Sequence, residues 1–391
     1  MTIRISIVAT HPIQYQVPWF QALAREHGIS LKVYFALLPD PSQQGAGFGI
    51  PFKWDIPMLD GYDWVALENK SSNASLTGFF SSSTPAIRHV LSEDRPDMAI
   101  VTGWNSLPLI QALAACIALG IPRMVRGESN AMRRRRVPVR LAHRALLSRF
   151  DAFLSIGKSN REFYLANGVQ PKRIFDCRYF VDNDRFRAGS EKSRPQRSTL
   201  RERWGVPESA FCFLYVGKLE PKKRILDLLC AIRIAAMTRK DIHLLVVGTG
   251  DLFGEAQSTS TSLGLPVSLA GFLNQSELPQ AYAAADCLVL PSDFGETWGL
   301  VVNEAMACGL PALVSDRVGC GPDLVEPGET GVVFPFGDVS SLATALTRLS
   351  SDREVAHAMG VRAQRRVSDY SVQAAVAGTV MAAEFVQSGS S

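Results

Sequence analysis

Short runs of β-branched and aromatic residues alternate with segments of helical apolar spacing along nearly the whole chain. The first run is ISIVA, the next is LKVYFAL, and a helical segment lies between them. Alternation of this kind predicts parallel sheets covered by helices. In the first half, the predicted strands span 5–9, 31–37, 98–102, 122–126, 152–156 and 174–179, and the predicted helices span 14–27, 105–120, 138–149 and 159–167.

Two polar segments interrupt this alternation. Residues 40–83 are rich in Gly, Pro and Ser and predict a long loop insertion, whereas residues 185–205 are charged, lack periodicity and predict a linker. Beyond the linker, the predicted strands span 211–217, 242–248, 267–271 and 287–292, and the predicted helices span 224–238, 251–263 and 276–285. We therefore expect domains at 1–184 and 206–368, joined by 185–205 and followed by a C-terminal helix and frayed tail at 369–391.

Composition agrees with two globular α/β domains that each contain a doubly wound, Rossmann-like sheet. The chain has 391 residues, of which 47% are hydrophobic and 20% charged, and this excludes a disordered protein. Its cysteines stand singly, without a CxxC pair, which argues against a zinc ribbon or a disulfide framework and favours the reducing cytoplasm. The apolar runs are too short for a secretory leader or a membrane span.

Positive charge is concentrated in one place. Residues 131–150 carry seven Arg and no acid, although the whole chain has a formal net charge of only +4. One interpretation is a solvated helix face; another is attraction to a phosphorylated acceptor or to anionic lipid headgroups, which would place the protein peripherally on the inner face of the cytoplasmic membrane. Nucleic acid is disfavoured because no aromatic residues interleave with the run. The basic residues proposed for the membrane are Arg133, Arg134, Arg135, Arg136, Arg140 and Arg144.

The candidate site residues lie in the loops that follow the strands of the second predicted domain. Doubly wound sheets bind ligands there, beyond the carboxyl ends of their strands. The loop GKLEPKKR places Lys218 and Lys223 after one strand, where fixed cations would attract a diphosphate. The loop SDFGETWG leads into a helix whose first amides and dipole would bind an anion. A charged turn and exposed acids without partners are the alternatives at these positions.

Two carboxylates flank that helix start. Glu296 precedes the helix, and Glu304 lies inside it with a side chain expected to lean back toward the same site. Carboxylates would repel a phosphate, so we expect them to bind hydroxyl groups, as acidic residues bind ribose in dinucleotide folds. In the loop GFLN, Phe272 would lie along a base.

Five segments of the second predicted domain together resemble the retaining glycosyltransferases of family four. They are VGKLEPKK, VVGTGDL, GFLNQSELPQAYAAADCLVLPS, ETWGLVVNEAMACGLPALVSD and LVEPGETGVVFPFGD. The resemblance implies the GT-B fold, in which two Rossmann-like domains face a cleft. It also implies that Lys218 and Lys223 hold the donor diphosphate, Glu296 the sugar hydroxyls and Glu304 the ribose. The backbone of Thr297, Trp298, Gly299 and Leu300 would bind the donor too. Arg224 stands where the family usually has Gly.

The first domain resembles the family more loosely, and its candidate acceptor-side residues come from predicted strand ends. They are His11, Gln14, Tyr15, Arg126 and Glu128. The motif Asp182-Asn183-Asp184 matches the DxD of metal-dependent transferases, but its place before the predicted linker favours helix capping, and we predict no metal.

The resemblance implies a metal-independent, hexosyl-type transferase that retains the anomeric configuration. It would use a UDP- or GDP-sugar as donor substrate, without a further cofactor, and a glycan or lipid-linked acceptor. Assembly of bacterial surface polysaccharide or lipid-linked glycan is the expected setting. The alternatives are a small-molecule or natural-product glycosyltransferase, a same-fold sugar-nucleotide epimerase, and a non-catalytic nucleotide-sugar-binding relative.

Overall fold

The structure, a computed structural model, describes residues 2–389 and divides into two compact units. Within this range, the first unit contains residues 2–44, 52–179 and 371–389, and the second contains residues 45–51 and 180–370. Each unit is built on its own parallel sheet, so the predicted pair of α/β domains is confirmed. The short segment 45–51 belongs to the second unit although it lies far from the rest of that unit in sequence.

The first sheet is entirely parallel and is covered by helices. Its strand order is β3-β2-β1-β4-β5-β6-β7, so the direction of strand addition reverses between β1 and β4. The strands are β1 (Ile3–Ala9), β2 (Ile29–Phe35), β3 (Asp63–Ala66), β4 (Met98–Val101), β5 (Arg123–Val125), β6 (Ala152–Ser155) and β7 (Ile174–Asp176); the helices between them are α1 (Val17–Arg25), α2 (Pro41–Gly45), α3 (Ile87–Asp94), α4 (Leu107–Leu119), α5 (Val137–Leu147) and α6 (Lys158–Ala166).

The predicted loop insertion at 40–83 is partly regular. It contains α2 and strand β3, which pairs in parallel with β2 from Lys32↔Asp63 to Phe35↔Ala66. Strand β3 escaped prediction because it is four residues long and lies at the sheet edge, where DWVA has no fully buried residue to reveal a pattern.

The second sheet repeats the same design. Its order is β10-β9-β8-β11-β12-β13, with the reversal between β8 and β11. Its strands are β8 (Phe211–Val216), β9 (Ile242–Val247), β10 (Val267–Gly271), β11 (Cys287–Leu290), β12 (Ala312–Ser315) and β13 (Gly331–Phe334); the helices of this unit are α7 (Asn183–Ser193), α8 (Arg197–Arg203), α9 (Ile225–Thr238), α10 (Phe253–Ser262), α11 (Leu278–Ala284), α12 (Leu300–Ala307), α13 (Gly321–Leu324), α14 (Val339–Ser350) and α15 (Arg353–Ser368).

The predicted linker at 185–205 is helical, and it is an integral part of the second unit rather than a free connection. Arg201 is 1% exposed; its Nη2 lies 2.9 Å from Asp286 Oδ2, and its guanidinium also donates to backbone carbonyl groups. The segment looked like a linker because its few large buried apolar residues, Phe186, Leu200 and Trp204, stand among many charged ones. The predicted capping role of the DxD motif is observed, since Asp182 Oδ1 accepts a hydrogen bond from the Arg185 amide at 3.0 Å.

The last helix, α16 (Val372–Gly389), packs in the first unit. Trp19 Nε1 on α1 donates to Thr379 Oγ1 at 3.2 Å. A Cβ atom added at Gly378 would lie 1.9 Å from the carbonyl oxygen of Asp176 at the end of β7, so α16 approaches the sheet as closely as glycine permits. The chain therefore leaves the first unit after residue 179 and returns to it at residue 371. The end of the predicted frayed tail, residues 390–391, lies outside the described residues.

Across residues 2–389, no helix combines the length and the apolar character needed to span a bilayer.

Candidate functional site

The strand order of the second sheet brings the two predicted phosphate loops together. Strands β8 and β11 are neighbours, with Leu214 opposite Leu288, so the loops that follow them emerge side by side at the reversal point. A backbone hydrogen bond joins the loops directly, because the Asp293 amide donates to the Lys222 carbonyl at 2.9 Å.

The loop after β8 is held in place by its neighbours. The Leu219 amide donates to the Thr249 carbonyl at 2.9 Å, and the buried Tyr215 hydroxyl donates to the Lys218 carbonyl at 3.0 Å. A Cβ at Gly248 would lie 2.0 Å from the Gly217 carbonyl oxygen, so the GTG sequence allows two loops to pack closely. These contacts fix the backbone from which the lysines project.

Lys223 and Glu296 form an ion pair between the two loops. Their side chains are only 13% and 14% exposed, and Ser292 Oγ donates to the same Glu296 Oε2 at 3.3 Å. The structure thus brings together two residues that the sequence assigned to adjacent parts of a donor, a cation for the diphosphate and a carboxylate for sugar hydroxyls. A partly buried cation interacts with an anion more strongly than an exposed one does.

Lys218 lies in a positive environment. Burial lowers the pKa of its ammonium group; among the nearby charges, Glu220 opposes this effect while Lys222 and Lys223 add to it. The three lysines are therefore close enough to influence one another. Bringing a diphosphate to this cluster would relieve the repulsion between them.

Helix α12 begins directly after the Glu296 loop. Gly299 has φ +101°, in the left-handed region, and its carbonyl accepts the Val302 amide at 2.9 Å. The loop is held from behind, because the Gly319 amide donates to the Glu296 carbonyl at 3.1 Å and the Cys320 amide donates to the Trp298 carbonyl at 2.8 Å. This region contains the predicted anion-binding amides of residues 297–300, and their contact with a donor stays a prediction.

The Trp298 side chain has a structural role. It is 3% exposed, its Nε1 donates to Asn303 Oδ1 at 2.8 Å, and its ring lies 6.0 Å from that of Tyr370. Any contact of Trp298 with a donor would therefore involve its backbone, as the resemblance implies.

Glu304 lies farther along α12 and is fully covered. Its Oε2 accepts a hydrogen bond from the Tyr282 hydroxyl on α11 at 2.5 Å. The carboxylate is thus held in one orientation by a residue that the sequence analysis did not identify. Its contact with ribose hydroxyls stays a prediction.

Arg224 has the backbone conformation that glycine adopts most easily. Its φ is +55°, in the left-handed region, immediately before α9. Two contacts accompany the strained backbone: Arg224 Nε lies 2.7 Å from Asp227 Oδ2, and the guanidinium lies 5.6 Å from the Phe336 ring centroid.

We expect Arg224→Gly to be more stable than Arg224→Ala by about 1 kcal/mol, because alanine keeps the left-handed strain and glycine removes it. Both variants lose the contacts with Asp227 and Phe336, so the pair isolates the backbone effect. Urea unfolding of the two proteins measures the difference. Equal stability, or a more stable alanine variant, would contradict the strained conformation.

The acceptor-side candidates lie at strand ends of the first unit. His11 follows β1, where its Nδ1 lies 3.0 Å from Thr10 Oγ1, and the nearby Gln14 and Tyr15 are partly exposed. These three follow the strand at which the order of the first sheet reverses. Their role toward an acceptor stays a prediction.

Arg126 follows β5 but is only 2% exposed. Its guanidinium carbon lies 5.3 Å from the Trp19 ring centroid and 4.6 Å from that of Tyr179. The Tyr179 hydroxyl donates to Glu128 Oε1 at 2.5 Å, and burial, followed by the Glu128 charge, raises the pKa of Tyr179 well above its usual value. Tyr179 therefore contacts both Arg126 and Glu128, and Trp19 and Tyr179 are neighbours of these candidates that the sequence analysis missed.

No group of three or more His, Cys, Asp or Glu side chains in the described part of the chain could hold a metal ion.

Comparison with known proteins finds a family match within the second unit. Residues 196–366 match the family model described as glycosyl transferases group 1. The chain is 32% identical over 246 residues to the sulfoquinovosyl transferase SQD2 of Arabidopsis thaliana. This match covers 61% of this chain and 44% of that protein. The chain is also 33% identical over 197 residues to a D-inositol 3-phosphate glycosyltransferase of Thermomonospora curvata. That match covers 47% of this chain and 45% of the relative. The match thus spans less than half the length of these relatives.

Solved structures establish the fold over nearly the whole chain. The crystal structure of Anabaena HepE in complex with UDP and glucose has a TM-score of 0.70 at 17% identity, covering 97% of this chain and 98% of that chain. Sucrose-phosphate synthase from Thermosynechococcus elongatus has a TM-score of 0.68 at 19% identity, covering 97% and 98%. Two Rossmann-like units of this kind form the GT-B fold, as the sequence predicted.

Proposed function

We propose that this protein transfers a hexose-type sugar from a nucleotide diphosphate sugar to an acceptor hydroxyl, and the match of residues 196–366 to the family model for glycosyl transferases group 1 supports this proposal. The observation that carries this proposal is the junction of the loops after β8 and β11, where Lys223 meets Glu296 and Lys218 lies nearby. The cations suit the diphosphate, and the carboxylate suits the hydroxyls of the transferred sugar.

The chemistry follows from where charge develops. As the bond between the anomeric carbon and the diphosphate breaks, negative charge grows on the leaving oxygen. Lys218, Lys223 and the first amides of α12 would stabilise that charge from positions fixed before the reaction starts. We propose that these groups make a metal ion unnecessary. The acceptor oxygen forms its bond to the anomeric carbon on the face from which the diphosphate departs, and its proton passes to the departing phosphate; bond formation on that face retains the anomeric configuration.

A thermal-shift panel of UDP- and GDP-sugars tests the donor class. A ligand present at about 100 times its dissociation constant stabilises the folded state by about 2.7 kcal/mol, which gives a measurable shift. The sugar giving the largest shift is then incubated with the protein alone and with glycan or lipid-linked acceptors. Transfer supports the proposal; an altered donor without acceptor indicates an epimerase, and tight binding without turnover indicates a non-catalytic relative.

Glu304→Gln is expected to weaken binding of the bare nucleoside diphosphate roughly tenfold or more, since a hydrogen bond to a charged group contributes about 1.5–3 kcal/mol. The substitution preserves shape and an acceptor for the Tyr282 hydroxyl, so the fold should persist. Calorimetry measures the loss. Tyr282→Phe is the matched control: it should cause a smaller loss, because it removes only the group that orients Glu304. Unchanged affinity in the glutamine variant would exclude Glu304 from the ribose site.

For the acceptor side, we propose that the first unit docks on an anionic membrane surface, consistent with a lipid-linked acceptor. Residues 133, 134, 136, 140 and 144 are exposed arginines around α5, and the same helix exposes Val137 at 64% and Leu141 at 61%. Exposed apolar side chains among basic ones suit the interface of an anionic bilayer. Arg135 differs, because it donates to the Asn130 carbonyl and covers the Phe163 ring.

Replacing Arg133, Arg134 and Arg136 together by alanine should weaken binding to vesicles of phosphatidylcholine and phosphatidylglycerol on the order of 100-fold, at about 1 kcal/mol per basic residue. Co-sedimentation measures the binding, and pure phosphatidylcholine vesicles are the control for apolar adsorption. Leu141→Ser should weaken binding to both vesicle types. If the triple variant sediments like the original protein, the arginines form a solvated face instead.

A further inference from the structure

A glycine-rich strap from the first half of the sequence lies against the donor loops of the second unit. The strap comprises residues 45–51, GAGFGIP, and it belongs to the second unit. The Phe48 amide donates to the Gly45 carbonyl at 2.8 Å within the strap. Thr249 Oγ1, in the loop after β9, donates to the Phe48 carbonyl at 2.6 Å. The strap is therefore a tight turn tied to the loop that also supports Leu219.

The strap touches both residues that would contact the two ends of a nucleoside diphosphate. The Phe48 ring lies 5.2 Å from that of Phe272 in an edge-on arrangement, with an interplanar angle of 78°. On the other side, Lys218 Nζ lies 4.7 Å from the centroid of the Phe48 ring. A lysine in this position is attracted by the ring face, and the ring limits its rotation.

Gly47 leaves the space that the lysine occupies. A Cβ atom added at Gly47 would lie 2.2 Å from Lys218 Nζ, 2.9 Å from Cε and 3.2 Å from Cδ. Gly47 does not have a positive φ, so its backbone conformation suits other residues. A larger residue at position 47 would therefore collide with the end of the Lys218 side chain, whereas the backbone of the turn would accept it.

We propose that this strap is part of the donor site, where Gly47 and Phe48 position the ammonium of Lys218 for the diphosphate of a nucleotide sugar. The inference rests on the proposed function, because it assigns a task to Lys218 in that function. Gly47 and Phe48 are positioning residues: they act through Lys218, which lies 170 residues away in sequence from Phe48. A strap that prearranges the cation removes part of the ordering cost of binding.

Gly47→Ala is the sharpest test, because the three atoms nearest to its added methyl group all belong to the end of the Lys218 side chain. Displacing the ammonium by about 2 Å from a phosphate oxygen should weaken binding of UDP or GDP roughly tenfold. Thermal unfolding should stay unchanged. Gly254→Ala is the matched control, since a Cβ there meets nothing within 4 Å and the residue lies in α10 of the same unit.

Phe48→Ala should weaken the same binding about two- to fivefold, and Phe48→Tyr, which keeps the ring face, should restore it. Each strap variant is combined with Lys218→Ala, and calorimetry with UDP and GDP measures all affinities. If the strap acts through Lys218, its substitutions cause no further loss once that lysine is absent. A loss of the same size in both backgrounds would mean a structural role and would overturn the proposal.

The two hypotheses fail in different ways. If Lys218→Ala leaves UDP and GDP binding unchanged, the assignment of Lys218 to the diphosphate is wrong and the proposed function loses that support. If Lys218→Ala weakens binding but Gly47→Ala and Phe48→Ala do not, the donor site stands and only the role of the strap is wrong.

Discussion

Replacing Lys223 by alanine is expected to lower transfer about 100-fold or more, with the second unit still folded. Lys223 is the covered cation at the junction of the two donor loops and is paired with Glu296. Its charge would stabilise the negative charge that grows on the leaving diphosphate. Removing it should therefore raise the free energy of the transition state more than that of the bound donor. Initial rates with the donor found in the thermal-shift panel measure the effect.

Lys222→Ala is the control for Lys223. Lys222 is the adjacent cation, but it is 43% exposed and pairs with Glu220 at 3.1 Å. Its removal should change the rate only slightly, because an exposed charge is screened by water and salt. Lys223→Arg should retain part of the activity. Near-normal turnover by the alanine variant would remove Lys223 from the reacting centre, whatever happens to donor affinity.

The largest expected effect on stability lies in the segment whose sequence resembles a linker. Arg201→Met should lower the free energy of unfolding of the second unit by about 3 kcal/mol or more, since it removes a buried ion-pair partner of Asp286 and a hydrogen-bond donor to three backbone carbonyls. The affected groups are Asp286 and the carbonyls of Ala284, Glu208 and Ala210.

Arg197→Ala provides the comparison for Arg201. Arg197 pairs with the same Asp286 at 2.7 Å but is 30% exposed. Its replacement should therefore lower the free energy of unfolding by only about 1 kcal/mol. Urea unfolding followed by tryptophan fluorescence measures both variants, and the transition shifted by nucleoside diphosphate identifies the second unit. Equal small losses would show that Arg201 is dispensable and that 185–205 is a weakly attached segment.

The elements that the sequence predicted well are those with a strong local signal. Strand β8, FCFLYV, is apolar throughout because it is buried on both faces, and such strands are typical of parallel sheets. The loops GKLEPKKR and SDFGETWG could be assigned to one site because their strands precede the reversal of the sheet. The pairing of Lys223 with Glu296 follows from that topology.

The features that escaped prediction depend on partners far away in sequence. Nothing in the local pattern shows that Glu304 is covered and bound by Tyr282, or that Arg126 lies between Trp19 and Tyr179. The strap was hidden inside a segment rich in Gly, Pro and Ser that was interpreted as a loop insertion. Sequence periodicity reports which face is apolar, but it does not report which distant side chain that face meets.

Helix α16 has a consequence for how the protein is made. It follows the whole second unit in sequence, yet it packs against α1 and the end of β7 in the first unit. The first unit therefore cannot reach its final packing until residues 180–370 have also been synthesised. Removing residues 371–389 would consequently damage the first unit and leave the elements of the second unit in place.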